Sequence, residues 1–361
     1  MKIAISAAET SGDLLGSKLI QALKAQHASL QIEGLAGEKM QAAGCTQLWD
    51  QKQVNVMGFS EVLKKLPALL RLRKTIIDYF STHKPAVFIG VDAPDFNFVI
   101  EKKLKQRGVK TVHYISPSVW AWRQSRIKKI KKSTDLVLCV FPFEVAFYQK
   151  NQQKALFVGH PLAHSLSPRK NHSSNKNIVL MPGSRESEIR RLLPEMLSAA
   201  RLMLEQDNEL SFNLPLANEH LRTWVAQQVQ GLAVTISIGD AHQRIEQADL
   251  VLVASGTATL EVALIGVPMV VVYKLSALSY FIVSRLLKSP YTALPNVIAN
   301  QALVPELIQN EVNGANIAEH AMQILKADNQ ALIKEFNAIH ALLKHDVDDR
   351  AVTAILDLVN E

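Results

Sequence analysis

The chain has 361 residues, with 40 Lys and Arg against 33 Asp and Glu and a formal net charge of +7. Hydrophobic residues make up 48% and charged residues 20%, which excludes a disordered chain, and the length exceeds one ordinary core, which predicts two domains. Cys45 and Cys139 are the only cysteines, so a disulfide scaffold and a four-cysteine metal site are excluded.

The opening MKIAISAAETSGD lacks the apolar region and cleavage site of a secretory signal, so a cytoplasmic protein is expected. KIAISA reads as a short buried strand. GDLLGSKLIQALKAQ follows as a helix, with Leu14, Leu15, Leu19, Ile20 and Leu23 at helical spacing. QIEGLAG, AVFIGV, TVHYIS and DLVLCVF continue the strands. Between them, Val62, Leu66, Leu69, Leu70, Ile76, Ile77 and Phe80 form one helical stripe, with Lys64, Arg71 and Lys74 elsewhere on that helix. Residues 165–177, SLSPRKNHSSNKN, are polar and aperiodic and read as a linker. The alternation then restarts with NIVLMP, a helix from about Glu186, LSFNLPL, a helix from about Glu219, VTISIG, a helix near Ala241 to Gln247, and LVLVA. Leu250 to Tyr273 carries a single charge, Glu261, over a length that would span a bilayer. Ser255-Gly256-Thr257 and Gly266-Val267-Pro268 divide it instead into strand, helix and strand. The chain from Ile317 to Glu361 is helical in pattern. This predicts an α/β protein of two Rossmann-like lobes, 1–168 and 178–334, joined by a hinge at 169–177 and followed by a helical tail at 335–361. Ligands of open α/β sheets sit at the carboxyl ends of the strands, so the site is expected in a cleft between the lobes.

Several constellations can carry chemistry, and each has a plain alternative. Gly183-Ser184-Arg185 joins a strand to a helix, where loop amides and Arg185 would meet an anion. The alternative is a turn with Ser184 capping the helix. Ser255-Gly256-Thr257 repeats that geometry, and Glu261 lies one turn further on, suited to a ribose diol or to a backbone partner. Two such loops suggest a nucleotide diphosphate. GxGxxG after the first strand is absent, which argues against a nicotinamide dehydrogenase. Asp92 ends a strand, where a carboxylate can take a proton from a hydroxyl nucleophile, and Asp95 follows it; either one capping the next helix is the alternative. Glu9-Thr10-Ser11-Gly12-Asp13 opens the first helix, with Ser11 as a plain cap or with Glu9 facing the ligand. His113 reads as a core histidine. No metal-ligand spacing and no GxSxG or Cys-His nucleophile pattern occurs. The stripe at 62–80 and the basic RQSRIKKIKK at 123–132 read either as a core-facing helix with a solvated basic side or as a surface for anionic lipid through Leu66, Leu69, Leu70 and Arg71. Few aromatics interleave the basic stretches and no nucleic-acid motif is present, so nucleic acid is not an expected partner.

Taken together and in this order, AETSGD (8–13), GVDAPDFN (90–97), YISPSVWAWR (114–123), PGSR (182–185), ASGTATLE (254–261) and LPN (294–296) closely resemble the lipid-A-disaccharide synthases over essentially the whole chain. The resemblance implies two lobes of the GT-B type and an inverting glycosyltransferase. Its donor would be UDP-2,3-diacylglucosamine and its acceptor 2,3-diacylglucosamine 1-phosphate, giving the β-1,6 disaccharide 1-phosphate and UDP in lipid A biosynthesis. It implies no metal and no cofactor, a peripheral position on the inner face of the cytoplasmic membrane, and a homodimer with exchanged C-terminal parts. On this reading Ser184, Arg185, Ser255, Gly256 and Thr257 hold the diphosphate, Glu261 the ribose, and Asn296 lies nearby. Asp92 is the base, Glu9 supports it or orients the sugars, and Asp95 is the rival base. The competing functions are another UDP-sugar enzyme of the same fold, such as an epimerase or a peptidoglycan-precursor glycosyltransferase, and a non-enzymatic nucleotide- or RNA-binding module.

Overall fold

The computed structural model describes residues 1–54, 59–120, 124–170, 176–276, 280–281, 284–285, 289–345 and 347–361, with only the backbone described over 59–65. The chain divides into two compact units, Met1–Pro161 with Lys344–Glu361, and Leu162–Leu343.

The first unit is built on seven parallel strands: β1 (Lys2–Ala7), β2 (Gln31–Ala36), β3 (Thr46–Asp50), β4 (Val87–Val91), β5 (Lys110–Tyr114), β6 (Leu136–Cys139) and β7 (Ala155–Phe157). Their order is β3-β2-β1-β4-β5-β6-β7. The central β4 is buried at every position. That is why AVFIGV reads as a continuous apolar run: helices cover both faces of a parallel sheet. The order reverses between β1 and β4, so the loops after those strands flank the crevice where doubly wound sheets take ligands.

The second unit repeats the plan with β8 (Asn177–Met181), β9 (Ser211–Leu216), β10 (Val234–Ile238), β11 (Leu250–Ala254), β12 (Met269–Tyr273) and β13 (Glu306–Ile308), in the order β10-β9-β8-β11-β12-β13. Its switch point lies between β8 and β11. The apolar segment at 250–273 is β11, the helix Thr257–Ile265 and β12, as the punctuation predicted. Among the described residues no helix is long and apolar enough to cross a membrane.

The C-terminal region does not form the single tail expected over 335–361. The helix Gln330–Leu343 belongs to the second unit and Val347–Asn360 to the first. Val352, Ile355 and Leu358 share one core with Ile3, Ile5, Leu19 and Leu23. The helix is amphipathic, and the first unit supplies the apolar face it needs. Of the expected linker 169–177, residues 171–175 lie outside the described residues. Arg169 is part of the second unit's fabric, its N–H donating to Ile265 O at 2.9 Å.

Asp13 shows how the first unit is braced. This buried carboxylate, on the helix Thr10–Gln26, accepts from the backbone N–H groups of Gly37 (2.9 Å), Lys39 (3.0 Å) and Met40 (3.1 Å). It thereby satisfies the open amides at the start of the helix Glu38–Ala42. A Cβ on Gly37 would fall 2.5 Å from Asp13 Cγ, so the glycine makes room for the carboxylate.

The helix Phe59–His83 carries the predicted stripe, but its two halves differ. Leu72, Ile76, Ile77 and Phe80 are buried, whereas Leu66 is 39% and Leu70 52% exposed. Leu69 is half-buried and Arg71 exposed. Val62 and Lys64 lie outside the residues whose side chains are described.

Candidate active site

In the second unit the loops after β8, β9, β10 and β11 meet along four neighbouring strand ends. They enclose a cavity of about 760 Å³ lined by Gly183, Ser184, Arg185, Glu188, Ser255, Gly256, Thr257 and Glu261, and by Gly239 to Gln243. That volume is in the range that holds a small organic ligand, roughly 300–1,000 Å³. Two helices begin at its wall, Glu186–Gln206 and Thr257–Ile265, so their unpaired first amides favour an anion there. Gly256 supplies the turn into the second, with φ 152° and ψ −161°, a conformation essentially confined to glycine.

The capping alternatives do not hold. The helix caps are Arg185 and Gly256, which leaves Ser184 outside its helix and Thr257 as a first helical residue. Both Ser184 and Thr257 are exposed. Ser255 Oγ donates to Thr292 O at 2.9 Å and ties the loop to the segment after β12. Arg185 is 80% exposed at its side chain and reaches Glu188 Oε1 at 3.1 Å, while its backbone N–H donates to Glu188 Oε2 at 3.4 Å. Glu261 is hydrogen-bonded to a residue that sequence reasoning missed: His242 Nε2 lies 2.6 Å from Glu261 Oε2.

Asn296 does not line this cavity. Its side chain is buried and fully committed, with Nδ2 donating to Val304 O (2.9 Å) and Glu306 Oε1 (2.8 Å) and Oδ1 accepting from Leu303 N (2.9 Å) and Val304 N (3.0 Å). Glu306 also accepts from Thr292 N, Thr292 Oγ1 and Ala293 N. The LPN motif is therefore a knot that holds the segment on which Ser255 leans, and the Asn296 side chain, expected near the nucleotide, is spent on that knot.

In the first unit, the ends of β1 and β4 present Glu9, Asp92 and Asp95. Glu9 and Asp95 line a cavity of about 540 Å³ with Thr10, Ser11, Pro94 and Phe96. Glu9 itself is the cap position of the first helix, without a side-chain hydrogen bond to it, so Ser11 is not the cap. Its carboxyl is held above the usual carboxylate range, by burial first and by the neighbouring Asp92 charge second. Asp92 (φ 51°) and Ala93 (φ 43°) are consecutive left-handed residues. Such backbone costs energy and persists only when its surroundings hold it. Asn97 does the holding: Nδ2 donates to Asp92 O (2.8 Å) and Val91 O (3.2 Å), and Oδ1 accepts from Ser6 Oγ (2.8 Å). The cap of the helix Pro94–Lys105 is Ala93, so neither Asp92 nor Asp95 caps it. Asp95 is ion-paired with Arg126 at 2.7 Å.

The YISPSVWAWR segment leaves β5, and its Trp122 and Arg123 lie outside the described residues. Ser116 Oγ lies 3.0 Å from Tyr148 OH. Beneath it Glu144 is buried and accepts from Phe141 N–H at 3.1 Å. Burial pushes the Glu144 carboxyl up to about 8, against the opposing pull of its hydrogen bonds from Phe141 and Ser116. His113 is a core residue, as read, with Nδ1 2.7 Å from Glu101 Oε1.

A model of the lipid-A-disaccharide synthetase family matches residues 3–354. The chain is 43% identical to the lipid-A-disaccharide synthase of Psychromonas ingrahamii, covering 100% of this chain and 98% of that one. It is 42% identical to the synthase of Pseudomonas aeruginosa strain UCBPP-PA14, covering 99% and 98%. Among solved structures, a putative UDP-N-acetylglucosamine 2-epimerase from Listeria monocytogenes superposes with a TM-score of 0.67 at 13% identity, over 99% of this chain and 95% of that one. The glycotransferase of kitacinnamycin superposes with a TM-score of 0.63 at 13% identity, over 99% and 98%. At such identities the structures establish the fold, two parallel-sheet α/β domains of the glycosyltransferase and epimerase type.

Proposed function

The chain belongs to the lipid-A-disaccharide synthetase family and is a glycosyltransferase of lipid A synthesis, and we propose that it joins UDP-2,3-diacylglucosamine to 2,3-diacylglucosamine 1-phosphate with inversion, releasing UDP. The observation that carries the residue roles is the cavity at the switch point of the second sheet, where two helix starts and Arg185 face one space.

In this reading the diphosphate lies against the amides of Ser184 to Glu186 and Gly256 to Ala258. Arg185 leaves Glu188 for the phosphate oxygens, a charge-assisted contact stronger than its exposed ion pair. These donors stabilise the negative charge that grows on UDP as the glycosidic bond breaks. Glu261 accepts from the ribose hydroxyls. On the first unit, Asp92 accepts the proton of the acceptor's 6-hydroxyl as its oxygen attacks the anomeric carbon from the face opposite UDP. Glu9, its carboxyl raised by burial and by the Asp92 charge, lies beside Asp92 and orients a sugar hydroxyl.

Both substrates carry acyl chains, so the enzyme must work at a lipid surface. The uncovered leucines of the helix Phe59–His83, with Arg71 and the exposed Lys128, Lys129, Lys131 and Lys132, supply apolar and cationic contacts for an anionic leaflet. A homodimer with exchanged C-terminal parts belongs to the same proposal. A UDP-release assay with the diacylated donor tests the activity. Release should depend on the diacylated acceptor phosphate, and equal release without it would support an epimerase or hydrolase instead.

A further inference from the structure

We propose that His242 is a positioning residue for the nucleotide: it holds one oxygen of Glu261 so that the other faces the ribose hydroxyls. This rests on the assignment of Glu261 to the ribose and extends it to a residue with no role in the reading above.

The geometry is specific. His242 Nε2 and Glu261 Oε2 are 2.6 Å apart, and both residues line the cavity of the second unit. Glu261 Oε1 makes no hydrogen bond to the described residues. Glu261 sits in the helix after β11, and His242 at the start of the helix Ala241–Glu246 after β10. The bond therefore spans the two outer strand ends of the cavity across β8 and β9.

The platform under His242 is itself braced. Asp240 accepts from Ser237 Oγ at 2.5 Å and from Arg244 Nε at 2.8 Å, and Arg244 Nη1 donates to Asn213 Oδ1 at 3.3 Å. These bonds pair the charges that flank the histidine in sequence, Asp240 and Arg244, with each other. Across the cavity, Glu188 is occupied by Arg185.

A glutamate on a helix surface has three rotatable bonds, and ordering them costs free energy at the moment of binding. A hydrogen bond to a charged group, already made in the unliganded protein, meets that cost beforehand. A neutral imidazole protonated at Nε2 suffices as the donor. A carboxylate with one oxygen held presents its second oxygen at a fixed place, which suits the paired 2′- and 3′-hydroxyls of a ribose.

The test compares UDP with 2′,3′-dideoxy-UDP by titration calorimetry, on the wild-type chain and on H242A, H242Q and E261A. H242A should weaken UDP about tenfold, the low end for a hydrogen bond to a charged group, and leave dideoxy-UDP within about twofold. H242Q, whose amide N–H reaches the place of Nε2, should recover most of the loss. Equal weakening of both nucleotides in H242A would mean direct contact with another part of UDP or general damage to the cavity, and would overturn the inference. So would unchanged affinity for UDP. E261A separates the two claims. If it keeps the preference for UDP over the dideoxy nucleotide, the ribose assignment itself fails. If it loses that preference while H242A retains it in full, only the role of His242 fails.

Discussion

Asn296→Ala is expected to lower stability far more than nucleotide affinity. The amide is 1% exposed and makes four hydrogen bonds, with Leu303 N, Val304 N, Val304 O and Glu306 Oε1. Truncation leaves Glu306 with its other partners, Thr292 and Ala293. The N–H and the carbonyl of Val304 lose theirs, whereas Leu303 N–H keeps a second acceptor, Gln301 O at 3.0 Å. At the low end of the cost of a buried unsatisfied group, about 1 kcal/mol each, the loss is about 2 kcal/mol. For a unit of this size that corresponds to a fall in midpoint of roughly 4–8 °C. Asn296→Asp refines the argument. It keeps the acceptor for both N–H groups but sets a second carboxylate against Glu306. One of the pair must then hold a proton, so its folded pKa rises above the unfolded value. The stability of that variant is present at low pH and lost as pH climbs, and its deficit should be smaller at pH 5 than at pH 8. Thermal unfolding monitored by calorimetry reads the midpoints, and UDP titration well below them reads affinity. An unchanged midpoint together with a large loss of UDP affinity would refute the structural role and return Asn296 to the nucleotide.

Other substitutions probe other parts of the molecule. Asp92→Asn should lower turnover about 10²–10⁴-fold with UDP affinity unchanged, the usual worth of a general base, and unaltered turnover would remove Asp92 from that role. Asp95→Asn, which loses only a carboxylate already engaged by Arg126, should change turnover much less; the reverse order of the two effects would make Asp95 the base. Leu66→Ser with Leu70→Ser should reduce sedimentation with anionic vesicles and leave the thermal midpoint in place, because both side chains are already exposed. A lowered midpoint with vesicle binding intact would show that the stripe packs inward. Glu144→Gln should flatten the dependence of stability on pH. With its folded pKa up at about 8, the wild-type carboxyl stays protonated where the unfolded chain has lost the proton, so wild-type stability falls as pH rises from the ordinary carboxylate range toward that value. Identical urea midpoints for both proteins across pH 5 to 8.5 would contradict it.

The parts of this fold that the sequence displays are those whose burial is two-sided. β1, β4, β5, β6, β8, β11 and β12 announce themselves as apolar runs because helices cover both sheet faces. The strands left unread, β3, β7 and β13, all lie at sheet edges and are largely half-exposed, so no apolar run marks them. The same distinction governs the candidate site. Gly183, Arg185, Gly256 and Asp92 were legible because a strand must end in a turn, and the residue types in that turn limit what it can hold. His242, Asn97 and Glu306 were not, because each acts through a side-chain contact that no local pattern marks: His242 on Glu261, Asn97 on the carbonyl of Asp92 while Ser6 holds its other end, Glu306 on Thr292 and Asn296. Asn296 marks the limit from the other side. Its motif was conspicuous, yet a conspicuous amide can be occupied by ligand or by its own backbone, and only the count of its bonds decides between them. Four partners within 3.0 Å leave it no free donor or acceptor for a nucleotide. Glu261 has one oxygen bound and one open, which is why the inference about the ribose is built there and not at Asn296.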